Sequence, residues 1–136
     1  MSYIDGFVLA VPTANREKYE QVAGKFDAML IQHGALRVVE AWGDDVPHGK
    51  RTDFYRATEA TAEEAIVFSW AEWPDKATRD RAHAAMEKLM SPGSTGQDGT
   101  GQDSKTQNRE PMGMPFDGAR MISGGFATIL SLGASA

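Results

Sequence analysis

Five residues in one short stretch, Glu40, Trp42, Asp44, Asp45 and His48, are the densest set of side chains able to do chemistry in this sequence. On an extended strand Glu40, Trp42 and Asp44 share a face. A carboxylate held beside an indole on a partly buried face has its pKa raised and can exchange a proton near neutral pH. Glu40 is therefore the candidate general base. A plainer reading pairs Glu40 with Arg37 or Arg120 and leaves Asp44 and Asp45 as solvated turn residues, since structural ion pairs also perturb carboxylates. Asp44, Asp45 and His48 are of the right type for a metal. They lack a recognised ligand spacing, and the three histidines, His33, His48 and His83, are scattered through the chain. No metal and no cofactor is expected.

Two further groups stand out. Trp42, Phe68 and Trp70 would approach one another if their strands pair, lining a cavity for a planar or apolar small molecule. The plainer reading of the same aromatics is barrel core or dimer interface, where they carry large burial energy. In Phe116-Asp117-Gly118-Ala119-Arg120, Asp-Gly marks a tight turn that Asp117 can cap. Arg120 is placed to clamp an anionic group. The candidate ligand-binding residues are thus Trp42, Asp44, Phe68, Trp70 and Arg120. No phosphate-binding loop is present, because the Gly-rich run near Gly96 and Gly101 lacks the following Lys-Ser/Thr. No nucleophile elbow is present either.

These side chains need elements to position them. Residues 3–11 read as a strand, with Phe7, Leu9 and Val11 on one face and Ile4, Val8 and Ala10 on the other. Asn15 offers an N-cap for a helix running to about His33, stopped by Gly34. Its apolar stripe is Tyr19, Val22, Phe26, Met29 and Leu30. Residues 36–42 form a second strand, followed by a turn-rich loop over 43–51. Residues 52–58 are ambiguous, an extended segment being one reading. Residues 64–73 form a third strand, apolar on both faces. Asp75 caps a second helix over 76–90, whose stripe is Ala82, Met86, Leu89 and Met90. Residues 120–132 form a fourth strand, with Gly124-Gly125 permitting a bulge or a close backbone approach. Residues 91–111 are polar and low in complexity, and read as a flexible loop or a lid.

The chain of 136 residues fits one domain over 1–136, large enough to bury about two thirds of its unfolded surface. It has no cysteine, which removes disulfides and thiolate chemistry. A net charge of −5 with dispersed Lys and Arg argues against a nucleic-acid partner. No apolar run reaches the roughly 20 residues of a membrane span. The start, Met1-Ser2-Tyr3-Ile4-Asp5, has no signal-peptide pattern. A cytoplasmic location is the expectation.

The order β-α-β-β-α-β implies an α+β fold, an antiparallel sheet with both helices on one face. Two helices cover one face only, yet three of the strands are apolar on both. A homodimer packing two sheets face to face resolves this. The residue patterns of 3–9 and 34–47, Val67-Phe68-Ser69-Trp70 with Trp73-Pro74, and 114–126 resemble the domain of unknown function 1428 family, in the dimeric α/β-barrel superfamily. The resemblance covers nearly all of the chain except 91–111. It implies a ferredoxin-like protomer and an eight-stranded barrel closed across a dimer. It implies no established activity, although distant superfamily members include cofactor-independent monooxygenases.

Three functions remain open: a module binding a small apolar or aromatic molecule in a barrel pocket, a cofactor-independent monooxygenase-like enzyme, or a structural dimer without a pocket. The surroundings of Glu40 and Trp42 discriminate among them. A closed ion pair at Glu40 with no cavity touching Trp42 would remove the main support for both pocket hypotheses.

Overall fold

The computed structural model describes residues 2–90 and 114–133. Four strands, β1 (Tyr3–Pro12), β2 (Arg37–Trp42), β3 (Glu64–Trp73) and β4 (Ile122–Ala127), form one antiparallel sheet in the order β2-β3-β1-β4. The long strands β1 and β3 pair from Tyr3↔Trp73 to Pro12↔Glu64 and hold the centre, with the shorter β2 and β4 at the edges. The helices are α1 (Arg16–Gln32), α2 (Phe54–Thr58) and α3 (Lys76–Met90). This is a mixed α and β fold, as expected. None of the described helices is long and apolar enough to cross a membrane. The low-complexity stretch 91–111 lies outside the described residues.

Strand alternation decides what the helices cover. Leu9 and Val11 of β1 and Val67 of β3 pack against Tyr19 and Ala23 of α1. Ala71 and Trp73 of β3 pack against Leu30 of α1 and Ala82 and Met86 of α3. Both long helices therefore lie on one face, and the alternate residues Ile4, Val8, Phe68 and Trp70 point to the other. The expected stripe of α3 holds at Ala82 and Met86, whereas Leu89 is exposed. On α1, Phe26 is likewise at the surface.

A buried carboxylate fixes α3 to the sheet. Asp5 sits on the helix-covered face of β1, almost without solvent contact. It accepts from Trp73 Nε1 at 3.0 Å and from Arg79 Nε at 3.0 Å, and His83 Nε2 lies 2.9 Å from it. Arg79 also stacks over the Tyr3 ring, 5.2 Å from its centroid. Gly125 of β4 makes room for this group. A Cβ there would stand 2.6 Å from Tyr3 Oη and 2.7 Å from an Arg79 nitrogen, so the expected close approach is made at this glycine.

Helix ends follow their sequence signals in part. Asp75 accepts from Thr78 N at 2.8 Å, capping α3. Gly34 ends α1 with φ +114°. Asn15 precedes α1, but its side chain donates to the Pro115 carbonyl instead of capping.

Two expected elements differ. Residues 52–58 are not extended, because Asp53 caps Arg56 N at 2.7 Å and nucleates α2. Asp53 also accepts from Gly49 N, and Tyr55 donates to the Val46 carbonyl, so the loop folds back onto this short helix. The fourth strand is shorter than 120–132. Asp117 caps a single 3₁₀ turn over Gly118–Arg120. At the other end, Ala127 already pairs with Tyr3, the first residue of β1, so no strand backbone remains beyond it.

Candidate ligand groove on the open sheet face

The sheet face turned away from α1 and α3 is covered at one end only. α2 lies against β1 there, and Ala10 and Ile66 are buried. The remainder is an apolar groove of about 630 Å³ lined by Ile4, Val8, Phe68, Trp70, Ile122 and Phe126. Its shape comes from a register coincidence. Gly6 of β1 pairs with Gly124 of β4, so two neighbouring positions on this face carry no side chain. The Phe126 ring lies across that gap, 3.3 Å from where a Gly124 Cβ would stand and 3.6 Å from one at Gly6.

The groove is aromatic and sparingly polar. Phe68 meets Trp70 with ring centroids 5.8 Å apart and Phe54 of α2 at 6.2 Å. The polar atom of Trp70 is already used, since Nε1 donates to Glu72 at 2.9 Å. Phe68 is 47% exposed and Phe126 60% exposed, far more than packed core aromatics. Such a surface could hold flat apolar matter by burial and ring contact without any particular hydrogen bond.

The sequence candidates separate onto different parts of the fold. Phe68 and Trp70 line the groove. Trp42 does not join them: it pairs with Val67 and faces the helices, whereas Trp70 pairs with Val39 on the open face. The β2–β3 register, in which Trp42 is opposite Val67 and Trp70 opposite Val39, sends the two indoles to opposite sides of the sheet. Arg16 lies over the Trp42 ring, 5.1 Å from its centroid. Asp44 is exposed in the bend after β2. Gly43 there passes so close to β3 that its N donates to the Ile66 carbonyl at 2.7 Å.

Glu40 also faces the helices. Its partner is neither Arg37 nor Arg120 but Tyr19, whose hydroxyl donates to Glu40 Oε1 at 2.6 Å. Burial first, and then a hydrogen bond with Glu40, pushes the Asp27 carboxyl up to about 8, so Asp27 keeps its proton at neutral pH. Burial and Glu40 push the Tyr19 hydroxyl upward as well. Glu40 and Trp42 line neither the groove nor the cleft beside Arg120.

Arg120 is engaged in all directions. It donates to Asp117 from Nε at 3.1 Å, to both Glu64 oxygens at 2.9 and 2.7 Å, and to the Glu59 carbonyl at 2.7 Å. It thereby holds the Glu64 carboxyl below its ordinary range and ties the end of α2 to β3 and the 117–120 turn. The neighbouring cleft, about 660 Å³, is lined by Pro12, Asn15 and Pro115 as well as this ion pair. His48 stacks on Tyr55 at 4.3 Å. Among the described residues no three His, Asp or Glu side chains are grouped as metal ligands.

Residues that sequence reasoning missed are Gly6, Ile122, Phe126 and the Asp5 cluster. Asp5 had a signal, being a charge at a core-facing position of an apolar strand. The glycine pair had none, because it depends on strand register.

The family model for "Protein of unknown function (DUF1428)" matches residues 2–118. The chain belongs to the DUF1428 family. Among its relatives, the Uncharacterized protein YbaA of Escherichia coli (strain K12) is 44% identical over 130 residues, 96% of this chain and 98% of that protein. The YbaA proteins of Escherichia coli O157:H7 and Shigella flexneri show the same identity and coverage. At that coverage the similarity of this DUF1428 chain to YbaA runs through β4.

Proposed function

We propose that this protein is a homodimeric binding module. Two ferredoxin-like protomers pack their open sheet faces together into an eight-stranded barrel, and a small apolar or aromatic molecule is held in the groove between them. The observation that carries the reading is the groove itself, with Phe68, Trp70, Ile122 and Phe126 at its surface on a face that only the short α2 covers, and at one end. Contiguous exposed apolar surface of this kind marks an interaction site. A two-fold axis would place the same patch on both sides of the contact.

Binding is favoured over oxygenation because the described groove lining contains no Asp, Glu, His, Lys or Tyr. A cofactor-independent oxygenase needs a base beside its substrate, and Glu40 stands on the opposite face. In this reading Phe68 and Trp70 contact ligand, while Trp42 and Arg120 hold the scaffold. A neutral fluorescent probe, N-phenyl-1-naphthylamine, tests it. Saturable binding that weakens at least tenfold in Phe68→Ala is the expected result. Binding unchanged by Phe68→Ala and by Phe126→Ala, or no saturable binding, would contradict the proposal.

A further inference from the structure

The segment after β4 is the most exposed apolar part of the described chain. Ile129 is 92% exposed, Leu130 72% and Leu132 85%. From Met121 to Ala136 the sequence contains no Asp, Glu, Lys, Arg or His, in a chain otherwise 24% charged. A segment destined for water would not be so depleted of charge.

Its departure point is fixed. Thr128 N donates to the Ser2 carbonyl at 3.2 Å, and Ser2 Oγ donates to Thr128 Oγ1 at 2.8 Å. The chain therefore leaves the sheet beside the first residues of β1, and the high exposure of Ile129 and Leu132 shows that they are not buried on their own protomer. The five residues from Ile129 to Gly133 can reach roughly 16 Å if extended. β4 presents Ile122 and Phe126 on the open face, so the arm continues an apolar surface already there.

We propose that residues 128–133 form an exchanged arm that lays Ile129, Leu130 and Leu132 on the open sheet face of a second copy of this chain, closing the end of its groove. The inference rests on the face-to-face dimer proposed above and adds a component that dimer does not require. By two-fold symmetry each copy gives one arm and receives one, so every contact counts twice. Apolar side chains that are mostly exposed in their own protomer then become interface.

Two experiments test it on the full chain. In sedimentation equilibrium, Ile129→Asp combined with Leu130→Asp should raise the dimer dissociation constant at least tenfold. The circular dichroism of the protomer should stay unchanged, since neither side chain is packed within it. Independently, Leu130→benzoylphenylalanine in an equal mixture of ¹⁴N and ¹⁵N chains should photo-crosslink to peptides of β1, β3 or β4 in the opposite isotope. An unchanged dimer constant together with crosslinks confined to one chain, or with no crosslinks, would overturn the arm and leave the dimer standing. A wild-type protein that is monomeric at micromolar concentration would overturn both.

Discussion

Asp27→Asn should stabilise this protein at high pH and leave it unchanged in acid. The Asp27 carboxyl, pushed up to about 8, lies between α1 and β2 with Glu40 as its hydrogen-bonding neighbour. An unfolded Asp titrates near ~3.9. Between those values the folded protein holds a proton that the unfolded chain releases, so stability falls as pH rises from about 4 and levels off above about 8. The full displacement would correspond to a ceiling of about 5.6 kcal/mol at ~1.4 kcal/mol per tenfold change in proton affinity. Glu40 is exposed at this edge, and water screens such a pair strongly, so an effect of ~1–2 kcal/mol is expected. An asparagine amide can donate to Glu40 as the protonated carboxyl does, and it carries no charge to desolvate. Urea unfolding followed by tryptophan fluorescence, at one fixed protein concentration, reads the difference. The variant should match wild type near pH 4 and exceed it by ~1–2 kcal/mol at pH 9. Parallel stability profiles, or a variant weaker than wild type at pH 9, would refute a proton held by Asp27.

Asp5→Asn should cost ~3–5 kcal/mol, because it removes the charge that Arg79 and His83 share in a buried setting; a loss below ~1 kcal/mol in urea would contradict the anchoring role. Arg120→Ala should cost ~2–4 kcal/mol by leaving Glu64 without its cation and freeing the end of α2. Hydrogen exchange at the α2 amides should then accelerate more than at α1, and uniform acceleration would argue against a local tie. Gly125→Ala should destabilise by ~1–3 kcal/mol through its clash with Tyr3 and Arg79, read as a lowered urea midpoint.

Local chemistry was legible where a single residue dictated it. Asp75 announced α3, Gly34 announced the end of α1, and the alternation of residues 3–11 and 64–73 announced both faces of the central strands. Register was not legible. The expectation that Trp42 would meet Trp70 failed because it depended on which strand faces each indole takes, and that is fixed by Trp42 pairing with Val67. Residues 52–58 are ambiguous in sequence because local preference there is weak, and one capping carboxylate, Asp53, decides for a helix. Of the candidate site residues, only Phe68 and Trp70 come together, and the glycine pair that hollows the groove arises from β1 meeting β4 far along the chain.

The most direct measurement is the solution mass of the wild-type chain and of Phe68→Asp by sedimentation equilibrium at micromolar concentration. The open face predicts twice the 14.8 kDa chain mass for wild type and a shift to single chains when a charge is set at the centre of the groove. A wild-type mass of one chain, or a dimer indifferent to Phe68→Asp, would contradict it.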